Sequence, residues 1–213
     1  LNMGLSTGDD AERVRENRRV VTDRLGFEPE HLAVAGQVHG SRVEYAEEPG
    51  LYRGFDGLVT DRSNRLIAIS SADCAAVLLA DRDGSCVGAC HAGWRGAVAG
   101  IVRTTVRKLQ ELGAESSELN AYVSPCISLE AFEVGEEVAE RFEDRHVVRR
   151  AEWRRPHVDL KRSLRDRLLE AGLSESRIEI ASGCTVGAPD RYFSYRAHGE
   201  ETGRMMGLIG VQG

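Results

Sequence analysis

Apolar positions along the chain change period several times, and each change predicts an element. Ala11, Val14, Val21 and Leu25 fall on one helical face that ends at Gly26, with Asp9 and Glu12 at capping-box spacing before it. Leu32 to Val38 is a strand candidate. Leu58-Val59-Thr60 and Leu66-Ile67-Ala68-Ile69 are two more, separated by the polar stretch Asp61 to Arg65. The apolar runs Ala75 to Ala80 and Cys86 to Cys90 flank Asp81-Arg82-Asp83-Gly84, which is hairpin chemistry and predicts antiparallel neighbours. Beyond a crowd of glycines at 93, 96 and 100, Ile101, Thr105, Leu109 and Leu112 keep helical spacing up to Gly113. The pattern then predicts a strand over Leu119 to Val123, and helices over Leu129 to Phe142 and Val158 to Ala171. It closes with strands at Ile178 to Ala181 and Met205 to Val211. Helices interspersed with strands, two of them in a hairpin, indicate a mixed α/β class with a mixed, mostly antiparallel sheet. No repeat or linker divides the chain, so one domain over residues 1–213 is expected.

Composition narrows the classes of function. Of 213 residues, 41% are hydrophobic and 29% charged, the balance of a water-soluble protein. A net charge of −6 gives no global attraction to phosphate backbones, so no nucleic-acid partner is expected. The most apolar stretch, Leu66 to Ala80, is broken by Ser70, Ser71 and Asp73, so no membrane span is expected either. No basic segment followed by an apolar one opens the chain, so no signal peptide is expected. Five cysteines are an odd number in a chain large enough to fold without disulfides. That suggests a reducing, cytoplasmic setting.

Three residues invite a metal-site reading. His39 follows a predicted strand in Gln37-Val38-His39-Gly40, His91 sits at a strand-to-helix switch, and Cys74 closes the polar interruption Ala72-Asp73-Cys74. Imidazole and thiolate suit zinc, and three protein ligands leave one position open. The spacings (74 − 39 = 35; 91 − 74 = 17) match no compact zinc pattern, so Cys74 as a packing residue and the histidines as loop residues remain open. The turn Gly93-Trp94-Arg95-Gly96 reads either as an anion site at a helix start or as a tight turn requiring glycine. Phe193-Ser194-Tyr195-Arg196 and Gly203-Arg204 gather two rings and two arginines, suited to a planar base and to phosphate. His31, His146, His157 and His198 lie among charges and are expected to face solvent. The basic run Arg145 to Arg155 reads as a surface loop. Cys86 and Cys90 read as buried thiols, and nothing near Cys126 or Cys184 in sequence activates either.

Together, several segments carry a resemblance. Gln37-Val38-His39-Gly40, Asp56-Gly57-Leu58-Val59-Thr60, Ala72-Asp73-Cys74, His91-Ala92-Gly93-Trp94-Arg95-Gly96, Phe132-Glu133-Val134-Gly135, Cys184-Thr185 and Phe193-Ser194-Tyr195-Arg196 occur in one order. The series resembles the polyphenol-oxidase (laccase)-like or peptidoglycan-editing-factor family, also described as multifunctional purine nucleoside phosphorylases. The likeness runs from about Leu1 to Val211. Where family members often read Gly-Pro-Ser-Ile, this chain has Ser124-Pro125-Cys126-Ile127.

The resemblance implies a four-layer α-β-β-α sandwich and a metal held by His39, Cys74 and His91. It also implies phosphorolysis of adenosine, inosine and methylthioadenosine, with deamination of adenosine. Zinc with an open position would lower the pKa of a bound water, and two histidines with one cysteine also suit copper. In this reading Cys74, His91 and Asp73 are catalytic, Asp73 as the proton shuttle, and Arg95, Arg196 or Arg204 bind substrate phosphate. The partners are then purine nucleosides and phosphate, with the oligomeric state left open. Three other readings use the same residues. One is a metal-free cysteine hydrolase acting on peptidoglycan precursors, with Cys74 as nucleophile and His91 as base. Another is a copper-dependent polyphenol oxidase, although six histidines are too few for a multicopper cluster set. The last is a non-catalytic metal- or nucleoside-binding module.

Overall fold

The elements below describe residues 1–213 in a computed structural model. In chain order they begin with α1 (Ala11–Arg24), β1 (Leu32–Gly36), β2 (Val43–Tyr45), β3 (Gly50–Arg53), β4 (Gly57–Thr60) and β5 (Arg65–Ser71). The expected hairpin follows as β6 (Ala75–Ala80) and β7 (Val87–Ala92), then α2 (Trp94–Val98), α3 (Ile101–Glu111) and β8 (Asn120–Val123). The last third holds α4 (Glu136–Ala139), β9 (Val147–Val148), β10 (His157–Val158), α5 (Leu160–Glu170), β11 (Ile178–Ile180), α6 (Tyr195–His198) and β12 (Met205–Val211).

Two sheets stack. The smaller runs β12-β5-β1-β3, the larger β11-β8-β6-β7-β4-β2, and β9 pairs with β10 apart from both. The pairings are mixed: β1 with β3 and β5, β2 with β4, and β8 with β11 are parallel, and the others antiparallel. Ala33 and Ala35 of β1 and Ile67 and Ile69 of β5 meet Leu58, Ala76 and Ala89 in a buried cluster between the sheets. On the other face of the larger sheet, Val59, Val77 and Cys90 pack with residues of α3 and α5, including Val106, Leu109, Leu164 and Leu168. α1 lies over the outer face of the smaller sheet, with a cleft between them lined from both sides. The layers are therefore α-β-β-α. β7 is buried along its whole length because it has a sheet on one face and helices on the other, which is why its sequence is apolar without alternation from Val87 to Cys90, up to the buried His91.

Several elements depart from the periodicity reading, each for a physical reason. The first helix is capped by Asp10, whose side chain accepts from Arg13 N–H, one residue beyond the expected Asp9. The helix expected over Leu129 to Phe142 is reduced to α4. Val134 N–H donates to Pro156 and Val158 N–H to Phe132, so this backbone pairs with a distant segment instead of with itself. His157 and Val158 belong to that pairing, and α5 begins only after Asp159, whose carboxylate caps Arg162 N–H. β2 and β3 are short edge pieces with too few apolar residues to show a period. His146 and His157 are not solvent-facing: both are buried. His146 Nε2 is 2.9 Å from Asp166, and His157 Nδ1 is 2.8 Å from the Leu129 carbonyl with Trp153 stacked on its ring. No helix is long and apolar enough to cross a membrane.

Candidate metal centre

Strand register brings two of the three candidate ligands together. β6 and β7 pair with Ala75 opposite Ala92, which places Cys74 and Gly93 side by side where the hairpin opens. β4 flanks β7 with Gly57 opposite Cys90, so Asp56 stands beside His91, and its carbonyl accepts His91 N–H at 2.7 Å. The loop after β1 crosses from the smaller sheet and delivers His39 to the same point. The ligand atoms of His39, Cys74 and His91 all lie within 4.8 Å of one another, a separation one metal ion can span with nitrogen and sulfur bonds of about 2.0–2.3 Å. The donors fit a metal ion.

Asp56, which the periodicity reading passed over, organises the site. Its carboxylate is fully buried and accepts four hydrogen bonds: from Val38, His39 and Gly40 N–H at 3.1, 2.8 and 2.7 Å, and from His91 Nδ1 at 3.0 Å. An ionised carboxylate can only accept, so His91 Nδ1 carries the proton and Nε2 is left for the ligand position. Burial works to raise the Asp56 pKa, but the bonds from His91, Gly40 and Val38 outweigh it and hold it below the usual value. The same network holds His39 in a left-handed backbone conformation (φ 60°), strained for a non-glycine residue. The local signal for Asp56 was an acidic residue at the start of an apolar strand. A partner only 35 positions away made it meaningful.

In the metal-free protein the centre is already charged. Burial pushes the Cys74 thiol up, but hydrogen bonds from His39 and His91 overcome this and bring it to about 6. Burial likewise works against the His91 imidazolium, and Asp56 and Cys74 outweigh it and raise His91 to about 9. A metal ion binding there uses the thiolate as it stands and displaces the proton from His91 Nε2. The same thiolate and imidazolium are also a pre-formed nucleophile and acid.

Asp73 has its own task. It is nearly buried, with φ +84°, and its two oxygens accept from Thr185 Oγ1 and Arg196 N–H, each at 2.6 Å. Its carbonyl accepts Ile127 N–H at 2.9 Å. One aspartate thus ties the Cys74 loop to three other segments.

The centre opens into the cleft, a cavity of about 1240 Å3, above the usual range of about 300–1,000 Å3 for small-ligand sites. Arg95, Arg196 and Arg204 all line it, as does Arg18, which the sequence reading did not single out. None of the four makes an ion pair. Arg95 stacks on Trp94, while Arg196, Arg204 and Arg18 donate only to backbone carbonyls. Of the two rings near Arg196, Tyr195 lines the cleft and is exposed, whereas Phe193 packs beside Gly203 outside it.

The glycine-rich turn resolves in favour of close approach. α2 is five residues long, too short to gather a helix dipole, and Gly93 has φ −72°, open to any residue. A Cβ at Gly96 would meet the Gly40 carbonyl at 2.8 Å, and one at Gly93 would stand 2.7 Å from Cys74 Sγ. Gly93→Ala is therefore expected to leave the thermal midpoint within a few degrees while weakening metal binding by at least about tenfold. Chelator competition reads the second effect, and unchanged affinity would show that the Cys74 sulfur has room to move.

Residues 1–212 match the family described as multi-copper polyphenol oxidoreductase laccase. The chain belongs to that family. Among its relatives, a Deinococcus radiodurans protein named purine nucleoside phosphorylase is 38% identical over 208 residues, covering 95% of this chain and 79% of the relative. A protein named adenosine deaminase RL5, from an unknown prokaryotic organism, is 32% identical over 220 residues, covering 96% and 84%. The crystal structure of YlmD from Geobacillus stearothermophilus superimposes with a TM-score of 0.92 at 30% identity, covering 100% of this chain and 85% of that one. The multi-copper part of the family description finds no counterpart in donors here. His39, Cys74 and His91 are the single group of three metal-capable side chains within reach of one another.

Proposed function

We propose that the chain is a metal-dependent purine nucleoside enzyme that cleaves adenosine, inosine and methylthioadenosine with phosphate and deaminates adenosine. One observation carries the reading: a three-donor ligand set opens into a cleft holding four arginines that no carboxylate neutralises. Relatives named for phosphorolysis and for deamination support the same pair of reactions. His39, Cys74 and His91 would hold the ion. This nitrogen-and-thiolate set suits zinc, and copper accepts the same donors. When bound, zinc supplies a Lewis acid that draws electron density from an oxygen.

The chain's own residues do the rest. Tyr195 and Trp94 offer ring faces to a planar base at the cleft wall. Arg95, Arg196 and Arg204 retain free N–H groups for phosphate, and fixing that anion against the ribose is the largest contribution such a site makes to phosphorolysis. Asp73, with both oxygens engaged, acts by holding the Arg196 backbone and the Cys74 loop in register rather than by carrying the proton.

A single incubation tests the reading. Zinc-loaded protein is given adenosine with and without phosphate, and adenine, inosine and hypoxanthine are read together. Adenine that appears only with phosphate, alongside inosine in both samples, is expected. Absence of all three products overturns the proposal. The continuous path Asp56–His91–Cys74 favours a second reading, a cysteine hydrolase acting on peptidoglycan precursors, which needs no metal. In that case activity on such a precursor survives chelation and is lost when Cys74 is alkylated.

A further inference from the structure

Cys126 and Cys184 lie 58 positions apart (184 − 126 = 58) yet are paired residues of an isolated parallel bridge, with Thr185 N–H donating to the Cys126 carbonyl at 3.2 Å. Paired residues on adjacent strands put their side chains on the same face, with backbones about 4.8 Å apart. That falls within the Cα separation of about 4.4–6.8 Å that a disulfide spans. Both thiols are free.

Their surroundings differ in a useful way. Cys184 is half-buried, and Gly187 N–H donates to its sulfur at 3.3 Å. Partial burial works to raise its pKa, but the Ser128 side chain and the N–H groups of Gly187, Ser128 and Val186 outweigh this and lower it. Cys126 is fully buried, with its thiol directed at the Ile127 carbonyl, 3.6 Å away, and burial pushes it up to about 12. One sulfur is therefore half-buried and held by donors, and the other is fully buried on the paired segment. The Lys161 ammonium, fixed by the Ala181 and Gly183 carbonyls, lies close enough to favour ionisation of Cys126.

We propose that Cys126 and Cys184 form a peroxide-responsive dithiol behind the metal centre. The Cys184 thiolate attacks the outer oxygen of a hydroperoxide. A sulfur–oxygen bond forms, the oxygen–oxygen bond breaks, and the alkoxide or hydroxide leaves and takes up a proton. Cys126 then gives up its proton and attacks the Cys184 sulfur, forming the disulfide and expelling hydroxide, which combines with that proton as water. Two thiols lose two electrons and one peroxide is reduced. The buried Cys126 makes the second step the slow one, so the Cys184 sulfenic acid accumulates long enough to be trapped.

The location gives the bond a consequence. Each cysteine directly precedes a residue that anchors Asp73: Ile127 donates to the Asp73 carbonyl and Thr185 to its carboxylate. Cross-linking the two segments alters the hold on the loop that carries Cys74. The inference does not depend on which substrate the cleft takes, and its test reads thiols rather than turnover.

Metal-loaded protein is treated with hydrogen peroxide, quenched with an alkylating reagent and examined by intact mass and peptide mapping. A loss of about 2 Da in a portion weighed before alkylation, reversed by dithiothreitol, with a peptide linking Cys126 to Cys184 in the alkylated portion, is expected. Cys126→Ser should stop at a dimedone-reactive sulfenic acid on Cys184, and Cys184→Ser should show neither product. A disulfide that includes Cys74, over-oxidation of Cys184 without any disulfide, or no change in mass in the wild-type protein each overturns the proposal. The wild-type peptide map decides the matter even if a variant fails to fold.

Discussion

Replacing Cys74 with alanine is expected to strip the protein of bound metal and to lower nucleoside turnover by at least about 10³-fold, equivalent to about 4 kcal/mol of transition-state stabilisation. The thiolate is the only anionic ligand in the set, and it carries the strongest metal bond. Without it, two imidazoles remain, one of them paired to Asp56, and neither can retain an ion against dilution. The fold does not depend on Cys74, which belongs to neither buried cluster. Circular dichroism and the thermal midpoint of the metal-free proteins should therefore coincide for variant and parent. Metal content is read by elemental analysis and turnover by product release. Full activity in Cys74→Ala would remove the metal centre from the mechanism altogether. His39→Ala separates the two catalytic readings. It removes a ligand and should abolish zinc-dependent turnover at every pH, whereas a Cys74–His91 hydrolase loses only the His39 hydrogen bond that helps hold its thiolate and should recover activity as pH rises.

Asp56 should be the most costly polar residue to replace. Asp56→Ala leaves three backbone N–H groups and the His91 ring without an acceptor in a buried site, a loss of at least about 3 kcal/mol. Chemical denaturation of the metal-free protein measures it. Asp56→Asn is the sharper experiment because the shape is kept. One carboxylate oxygen becomes an amide that must face a donor, and the charge that stabilises imidazolium and orients Nε2 is gone. Metal affinity is expected to fall about 10–100-fold, the usual effect of losing the acidic partner of a ligating histidine. If Asp56→Asn binds metal as tightly as the parent, the orientation of His91 is set by packing alone.

The sequence was most informative where burial is two-sided or periodic. The continuous apolar run of β7, the hairpin chemistry at Asp81 to Gly84 and the helical face from Ile101 to Leu109 all appear as elements at or near their expected bounds. It was least informative where backbone groups find partners far along the chain. Residues 129–142 have helical spacing, but the segment at 156–158 offered their N–H and carbonyl groups a better exchange. The buried histidines 146 and 157 misled for a related reason: their acceptors, Asp166 and the Leu129 carbonyl, are 20 and 28 positions away. Cys126 and Cys184 looked inert in sequence because their pairing, and the Ser128 groups that help lower Cys184, come from segments far along the chain, and the nearby N–H groups of Val186 and Gly187 carry no signal in residue type.

The residue types at 39, 74 and 91 allowed a metal chemistry beside a packing role, the family resemblance chose the metal, and the six histidines of the chain already spoke against a multicopper one. Composition and periodicity likewise settled the mixed class, because hydrophobic burial depends only on which positions are apolar and how they recur. Convergence belonged to the tertiary structure. Gaps of 35 and 17 residues close only because two stacked sheets end at the same place and a buried carboxylate gathers the loops there. Electrostatics and hydrogen bonding act through space over a few ångströms, and distance along a chain says nothing of distance across a fold.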